Sequence, residues 1–174
     1  MKTFSKCPHR SPMAISEAIE PIIKNKVVCE LGCAEGDNMV FMARYAKEVI
    51  GLEYDSERYD AAIKRGLNVV VGDWYECEFP KADVYYFWPN DGVKDNPFLV
   101  EKIYSNEDFK GTIIVAGDSG FIDGIASSST HEPCEVTSVK QCVEIWGGEL
   151  MEVDFDEGNR HRENGTFILG IIKK

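Results

Sequence analysis

The chain has 174 residues, 44% of them hydrophobic and 28% charged, with a formal net charge of −11. That length suits one ordinary domain able to bury about 70% of its unfolded surface, and no run approaches the roughly 20 apolar residues of a membrane span. Between residues 29 and 110 seventeen acids face nine bases, so the body repels phosphate backbones, which disfavours nucleic acid and favours a cationic or neutral partner.

The opening "MKTFSKCPHRSPM" carries no apolar signal core, so a cytoplasmic location is the expectation. Ser11-Pro12 predicts a helix start, with an amphipathic helix running to about Lys24 on Ile15, Ala18, Ile19, Ile22 and Ile23. Val27 to Leu31 predicts a buried strand, Asp37 to Ala46 a helix and Val49 to Glu53 a second strand. A helix over Ser56 to Arg65 is stopped by Gly66, and Asn68 to Val71 follows as a third strand. Ala82 to Phe87 is almost wholly apolar or aromatic and predicts a central fourth strand.

In the second half Asn96-Pro97 predicts the start of a helix to about Tyr104, and Thr112 to Ala116 a fifth strand. Residues 117 to 132 show no clear period and predict a functional loop containing His131. Val136, Val139, Val143 and Trp146 have helical spacing before Gly147-Gly148. Leu150 to Phe155 and Thr166 to Ile172 predict a terminal antiparallel hairpin. The alternation implies an α/β fold: an open, mostly parallel seven-stranded sheet with helices on both faces, only the last strand antiparallel. Ligands of such sheets sit beyond the carboxyl ends of the strands, where the strand order reverses.

The turn "ELGCAEG" lies at such an end, after the first strand. Gly32, Ala34 and Gly36 alternate there, so a ligand can lie against the backbone. A dinucleotide fingerprint needs its third glycine where Asp37 stands, and an acid there repels a pyrophosphate.

The ordered motifs resemble those of the class I S-adenosylmethionine-dependent methyltransferases. "ELGCAEG" matches the family's acid and G-x-G-x-G turn at Glu30, Gly32 and Gly36, with Ala34 in place of the middle glycine. "GLEYD" supplies the acid closing the second strand at Glu53, "VVVGDWYE" the third motif at Asp73, and "ADVYYFWPN" the fourth, with Trp88. The resemblance covers residues 27 to 91 and implies a Rossmann-like methyltransferase fold with S-adenosylmethionine as cofactor.

The side chains have matching chemistry. A carboxylate such as Glu53 can accept both hydroxyls of a ribose, and since it closes a strand its removal is expected to leave the fold nearly intact. Asp55 is its competitor and also fits a helix cap. Asp73 can accept from an adenine amine while Trp74 and Tyr54 provide ring surface. Glu30 suits either an ammonium or the bracing of its own turn.

The reaction this resemblance implies is displacement at a sulfonium methyl, where a base is needed only if the acceptor arrives protonated. Asp91, Asp118 and His131 are the candidates. The acceptor is expected to be a small molecule or a protein side chain. "GDW" and "YYFWP" are also similar to segments of small protein-lysine methyltransferases, whose lysine-rich targets would suit an acidic surface. A non-catalytic module of the same fold and a nicotinamide-dependent oxidoreductase are the alternative readings. Cys7 with His9, and His131 with Cys134 and Cys142, come nearest to metal-ligand spacing, but scattered buried thiols explain these cysteines and no metal is expected. The same holds for a redox pair of Cys29 and Cys33.

Overall fold

The computed structural model describes residues 10–89, 92–118, 121–122, 125–126, 132–155 and 165–174. Helices α1 (Arg10–Ala18) and α2 (Glu20–Ile23) precede β1 (Val27–Leu31), α3 (Asp37–Met42), β2 (Glu48–Glu53), α4 (Ser56–Lys64) and β3 (Val69–Val71). Then come β4 (Val84–Phe87), α5 (Gly92–Tyr104), β5 (Thr112–Asp118), the short strands β6 (Phe121–Ile122) and β7 (Ile125–Ala126), α6 (Glu132–Trp146), β8 (Glu149–Phe155) and β9 (Gly165–Lys173).

Seven strands form one sheet in the order β3-β2-β1-β4-β5-β9-β8. β1 to β5 run parallel, and β9 is antiparallel to both β5 and β8, so β9 alone is reversed. The chain leaves β1 in one direction through β2 to β3 and returns to β4 on the other side. The strand order therefore reverses between β1 and β4, and the turn after β1 stands at that point.

Alternate residues of each strand feed two cores, as the two-residue period requires. One face packs Val28, Val84, Tyr86, Ile114 and Leu169 against Ile15 of α1, Ile19 at the entrance to α2, Met39 and Met42 of α3 and Ala62 of α4. The other packs Cys29, Leu31, Tyr85, Phe87, Ile113 and Val115 against Leu99, Val100, Ile103, Val139 and Cys142 of α5 and α6. The Asp83 carboxylate accepts from Val27 N at 2.8 Å and ties the start of β1 to that of β4.

Four helical boundaries differ from the sequence expectation. The first helix is interrupted between Ala18 and Glu20, because Pro21 starts a new helix and has no N–H to continue the old one. α3 ends at Met42, after which Arg44 and Tyr45 bond to carbonyls three residues back in a tightened turn. α5 starts at Gly92, so Pro97 lies inside it rather than at its cap, near enough to the start to remove only one internal bond. α6 starts at Glu132, in the stretch expected to be loop. That stretch also holds an extended β5 and the β6–β7 ribbon.

Candidate functional site

The turn after β1 is built on left-handed backbone. Gly32, Ala34 and Gly36 have φ of 72°, 49° and 81°. Glycine adopts such angles freely, whereas alanine must be held there. Ala34 is held: its N–H donates to Glu53 Oε2 at 2.7 Å. Gly32 N and Cys33 N both donate to Leu52 O, at 2.8 and 3.1 Å. On the far side Arg65 Nη1 reaches Glu35 O at 2.6 Å and Asp37 Oδ1 at 2.7 Å.

The space freed by the glycines is used mainly by the protein itself. A Cβ on Gly32 would lie 2.7 Å from the Trp74 ring, and one on Gly36 would lie 2.2 Å from Leu67. Gly36 thus serves the start of α3 and its packing, while Gly32 lets the indole lie against the turn.

Glu53 is buried, and its carboxylate also accepts from Tyr54 N at 3.0 Å and Asp55 N at 2.9 Å, both on Oε1. Three backbone amides use most of the roughly four acceptor positions of a carboxylate. The expectation that Glu53 is dispensable to the fold is therefore corrected: it joins the end of β2 to the turn after β1. Asp55 is the N-cap of α4, accepting from Glu57 N and Arg58 N at 3.0 Å each.

These groups surround a cleft of about 170 Å³, lined by Gly32, Ala34, Leu52, Glu53, Tyr54, Arg58, Gly72, Trp74, Trp88 and Pro89. Six of the residues singled out in the sequence meet there: Gly32, Ala34, Glu53, Tyr54, Trp74 and Trp88. Tyr54 is 73% exposed, and Trp88 packs edge-on against Phe167 at 4.9 Å between centroids.

Asp73 is exposed and accepts from Tyr75 N at 2.8 Å, bracing the turn that presents Trp74. Gly36 and Glu30 do not line the cleft. Asp118 closes β5 opposite Phe167 of β9. Asp91 and His131 lie outside the described residues, as do Cys7 and His9. Among the described residues no cluster of three or more His, Cys, Asp or Glu could hold a metal, and Cys29, Cys33, Cys77 and Cys142 are free thiols. Burial drives the Cys29 and Cys33 thiols far above their usual range and pushes that of Cys142 up to about 11. No described helix is long and apolar enough to cross a membrane.

Sequence reasoning missed Arg58, which brings a cation to the cleft wall from the first turn of α4. Its position three residues after the Asp55 cap was the available signal. It also missed the support behind Trp74. Lys102 of α5 donates to Trp74 O at 2.6 Å and Cys77 O at 2.8 Å, and its ammonium lies 4.5 Å from the Phe79 ring centroid. Tyr75 donates to the Asp95 carboxylate and packs on Phe98 at 4.7 Å. Both struts run from α5 to residues 74 to 79.

Glu30 lies under the turn, 3% exposed, with Oε1 accepting from Asn38 Nδ2 at 2.7 Å and Oε2 without a partner. Burial is the main reason its pKa rises to about 8, and the charges of Asp37 and Glu53 add to this against the opposing Asn38 bond.

Solved structures of methyltransferases share this architecture. A dimethyladenosine transferase from Plasmodium falciparum matches at a TM-score of 0.57 and 23% identity over 92% of this chain, which spans 61% of that one. The tRNA methyltransferase TrmI from Aquifex aeolicus matches at 0.65 and 16%, over 94% of this chain and 68% of its own. A precorrin-6y methyltransferase from Geobacter metallireducens matches at 0.62 and 12%, over 93% and 87%. No protein-family model and no curated protein matches the chain. The chain thus has the seven-stranded, Rossmann-like fold of the class I S-adenosylmethionine-dependent methyltransferases.

Proposed function

We propose that the protein is an S-adenosylmethionine-dependent methyltransferase acting on a small molecule or a protein side chain. The observation that carries this reading is that Gly32, Ala34, Glu53, Tyr54, Trp74 and Trp88, from the ends of four strands, line one cleft at the strand-order reversal.

The residues present fit the cofactor. Glu30 leaves a buried carboxylate oxygen without a donor beneath the turn, which an ammonium would satisfy. Glu53 keeps about one acceptor position for a ribose hydroxyl. Tyr54 and Trp74 offer ring surface to an adenine, and Asp73, beside Trp74, keeps one carboxylate oxygen for its amine. When bound, the cofactor supplies a methyl group already activated by its sulfonium.

The chain's own contribution is then positional: the braced turn, the Glu53 bridge and the walls of the cleft fix the ligand and keep water from it. Asp118 and, outside the described residues, Asp91 and His131 are the groups proposed to take a proton from the acceptor. A dinucleotide fits less well. Asp37 stands at the entrance to α3, paired with Arg65, where a pyrophosphate would need bare amides.

The similar structures include a dimethyladenosine transferase, a tRNA methyltransferase and a precorrin methyltransferase, but the acidic balance of this chain favours a cationic or neutral acceptor over a nucleic acid. Incubation with methyl-labelled S-adenosylmethionine and a panel of small amines, lysine-rich proteins and RNA tests this. Label in an amine or a protein is the expected result. Label in RNA alone would overturn the proposed acceptor class, and cofactor binding with no transfer to any acceptor would favour a non-catalytic module.

A further inference from the structure

A second cavity, of about 400 Å³, opens at the opposite end of the sheet from the cleft. Its walls are the segment that enters β4 and the last turn of α5 with the chain that follows. Tyr85, 5% exposed, and Ile103, 2% exposed, form its inner lining with the half-buried Phe79, while Glu78, Lys81 and Asp108 stand exposed at its rim. The rings are held in place. Tyr85 donates its hydroxyl to Pro80 O at 2.8 Å, and its ring lies 6.1 Å from that of Phe79 and 5.2 Å from that of Phe109 between centroids.

Charge decides what such a cavity can hold. Segments 76 to 83 and 101 to 108, which form its walls, carry six acids and two bases. One of the bases is already engaged: Lys102 donates to Trp74 O and Cys77 O, with its ammonium 4.5 Å from the centroid of the Phe79 ring. None of the described ion pairs involves Glu78, Lys81 or Asp108. Two carboxylates without an ion-pair partner thus share the rim with a single such ammonium, in an acidic surround that attracts cations and repels anions. An aromatic and aliphatic inner lining adds a preference for an apolar body, and ring faces are themselves attractive to a cation. Among the described residues no cluster of three or more His, Cys, Asp or Glu could hold a metal, so an organic cation fits better than a metal ion.

We propose that this cavity is a binding site for a small organic amine, its apolar part against Phe79, Tyr85 and Ile103 and its ammonium at Glu78 and Asp108, and that occupancy steadies residues 74 to 79. The site is separate from the cleft and does not depend on what the cleft binds. The two are joined through one segment. Trp74 lines the cleft, Glu78 and Phe79 line the cavity, and Lys102, which also lines the cavity, holds the carbonyls of Trp74 and Cys77. An amine that fixes Glu78 and Phe79 therefore restricts the chain that presents the indole, which makes the cavity a place from which the cleft can be influenced.

Calorimetric titration of the whole chain with phenethylamine, 2-phenylethanol and phenylacetate tests the site, because the three share a ring and differ in charge. Phenethylamine should bind saturably at one site, about tenfold more tightly than the alcohol, and phenylacetate should not bind. Glu78→Gln and Asp108→Asn should each weaken phenethylamine binding about three- to fivefold, the scale of an exposed ion pair. Asp60→Asn removes an exposed acid of α4 that lines neither cavity and should leave the affinity unchanged. With phenethylamine bound, amide exchange at residues 74 to 79 should slow while exchange in β1 does not change.

No saturable binding of phenethylamine, or binding of phenylacetate as tight, would overturn the site. So would an equal loss in Asp60→Asn, which would reduce the effect to the overall charge of the chain. Binding that both rim variants leave intact would place the amine elsewhere, and unchanged exchange at residues 74 to 79 would overturn the link to the cleft.

Discussion

Glu53 and Asp55 lie two residues apart and carry different loads. Asp55 satisfies two amides at the start of α4, a local task, whereas Glu53 satisfies three amides from two segments and also faces the cleft. Glu53→Ala leaves those three amides without their acceptor, at roughly 1–3 kcal/mol each where water cannot replace it. Urea unfolding should show a loss of about 3 kcal/mol or more, with cofactor affinity at least tenfold lower. Asp55→Ala should lose about 1 kcal/mol and keep its affinity. If calorimetry gave the affinity loss to Asp55 instead, the ribose contact would be displaced by two residues.

At the scale of elements, the strands were the most legible part of the sequence. β1, β2 and β4 are short apolar runs bounded by charge or turn residues, and each ends within a residue or so of its expected boundary because register fixes which side chains are buried. The helices were less legible. Pro21 and Pro97 each have two readings, cap or interruption, and the choice depends on what the preceding turn packs against. β6 and β7, two residues each, are too short to show a period.

The candidate site was readable where motif residues also line the cleft, as with Gly32, Glu53 and Trp88. It was not readable where support comes from distant chain. Nothing local links Lys102 to Trp74, 28 residues earlier, yet the Lys102 ammonium holds two carbonyls of the segment that presents the indole. Lys102→Met should free residues 74 to 79. Hydrogen bonds to charged groups are worth roughly 1.5–3 kcal/mol each, and two are lost, so stability should fall by about 3 kcal/mol or more and S-adenosylmethionine affinity severalfold. Amide exchange at residues 74 to 79 should rise while exchange in β1 does not. Unchanged exchange there would show that the Tyr75–Asp95 strut suffices.

At the scale of the whole molecule, one topological fact organises the site: the chain turns back between β3 and β4, so the segments leaving the paired ends of β1 and β4 head to opposite sides of the sheet and leave a cleft beyond the strand ends. The reversed β9 lies beyond β5, and its Phe167 supports Trp88 on the cleft wall. The net charge of −11 bears on the partner rather than the fold. The central claim is that this cleft is an S-adenosylmethionine site. Calorimetric titration of the wild-type chain with S-adenosylmethionine, S-adenosylhomocysteine and NAD tests it most directly. The account predicts saturable binding of the first two at one site per chain and none of NAD; binding of NAD alone, or of none of the three, would contradict it.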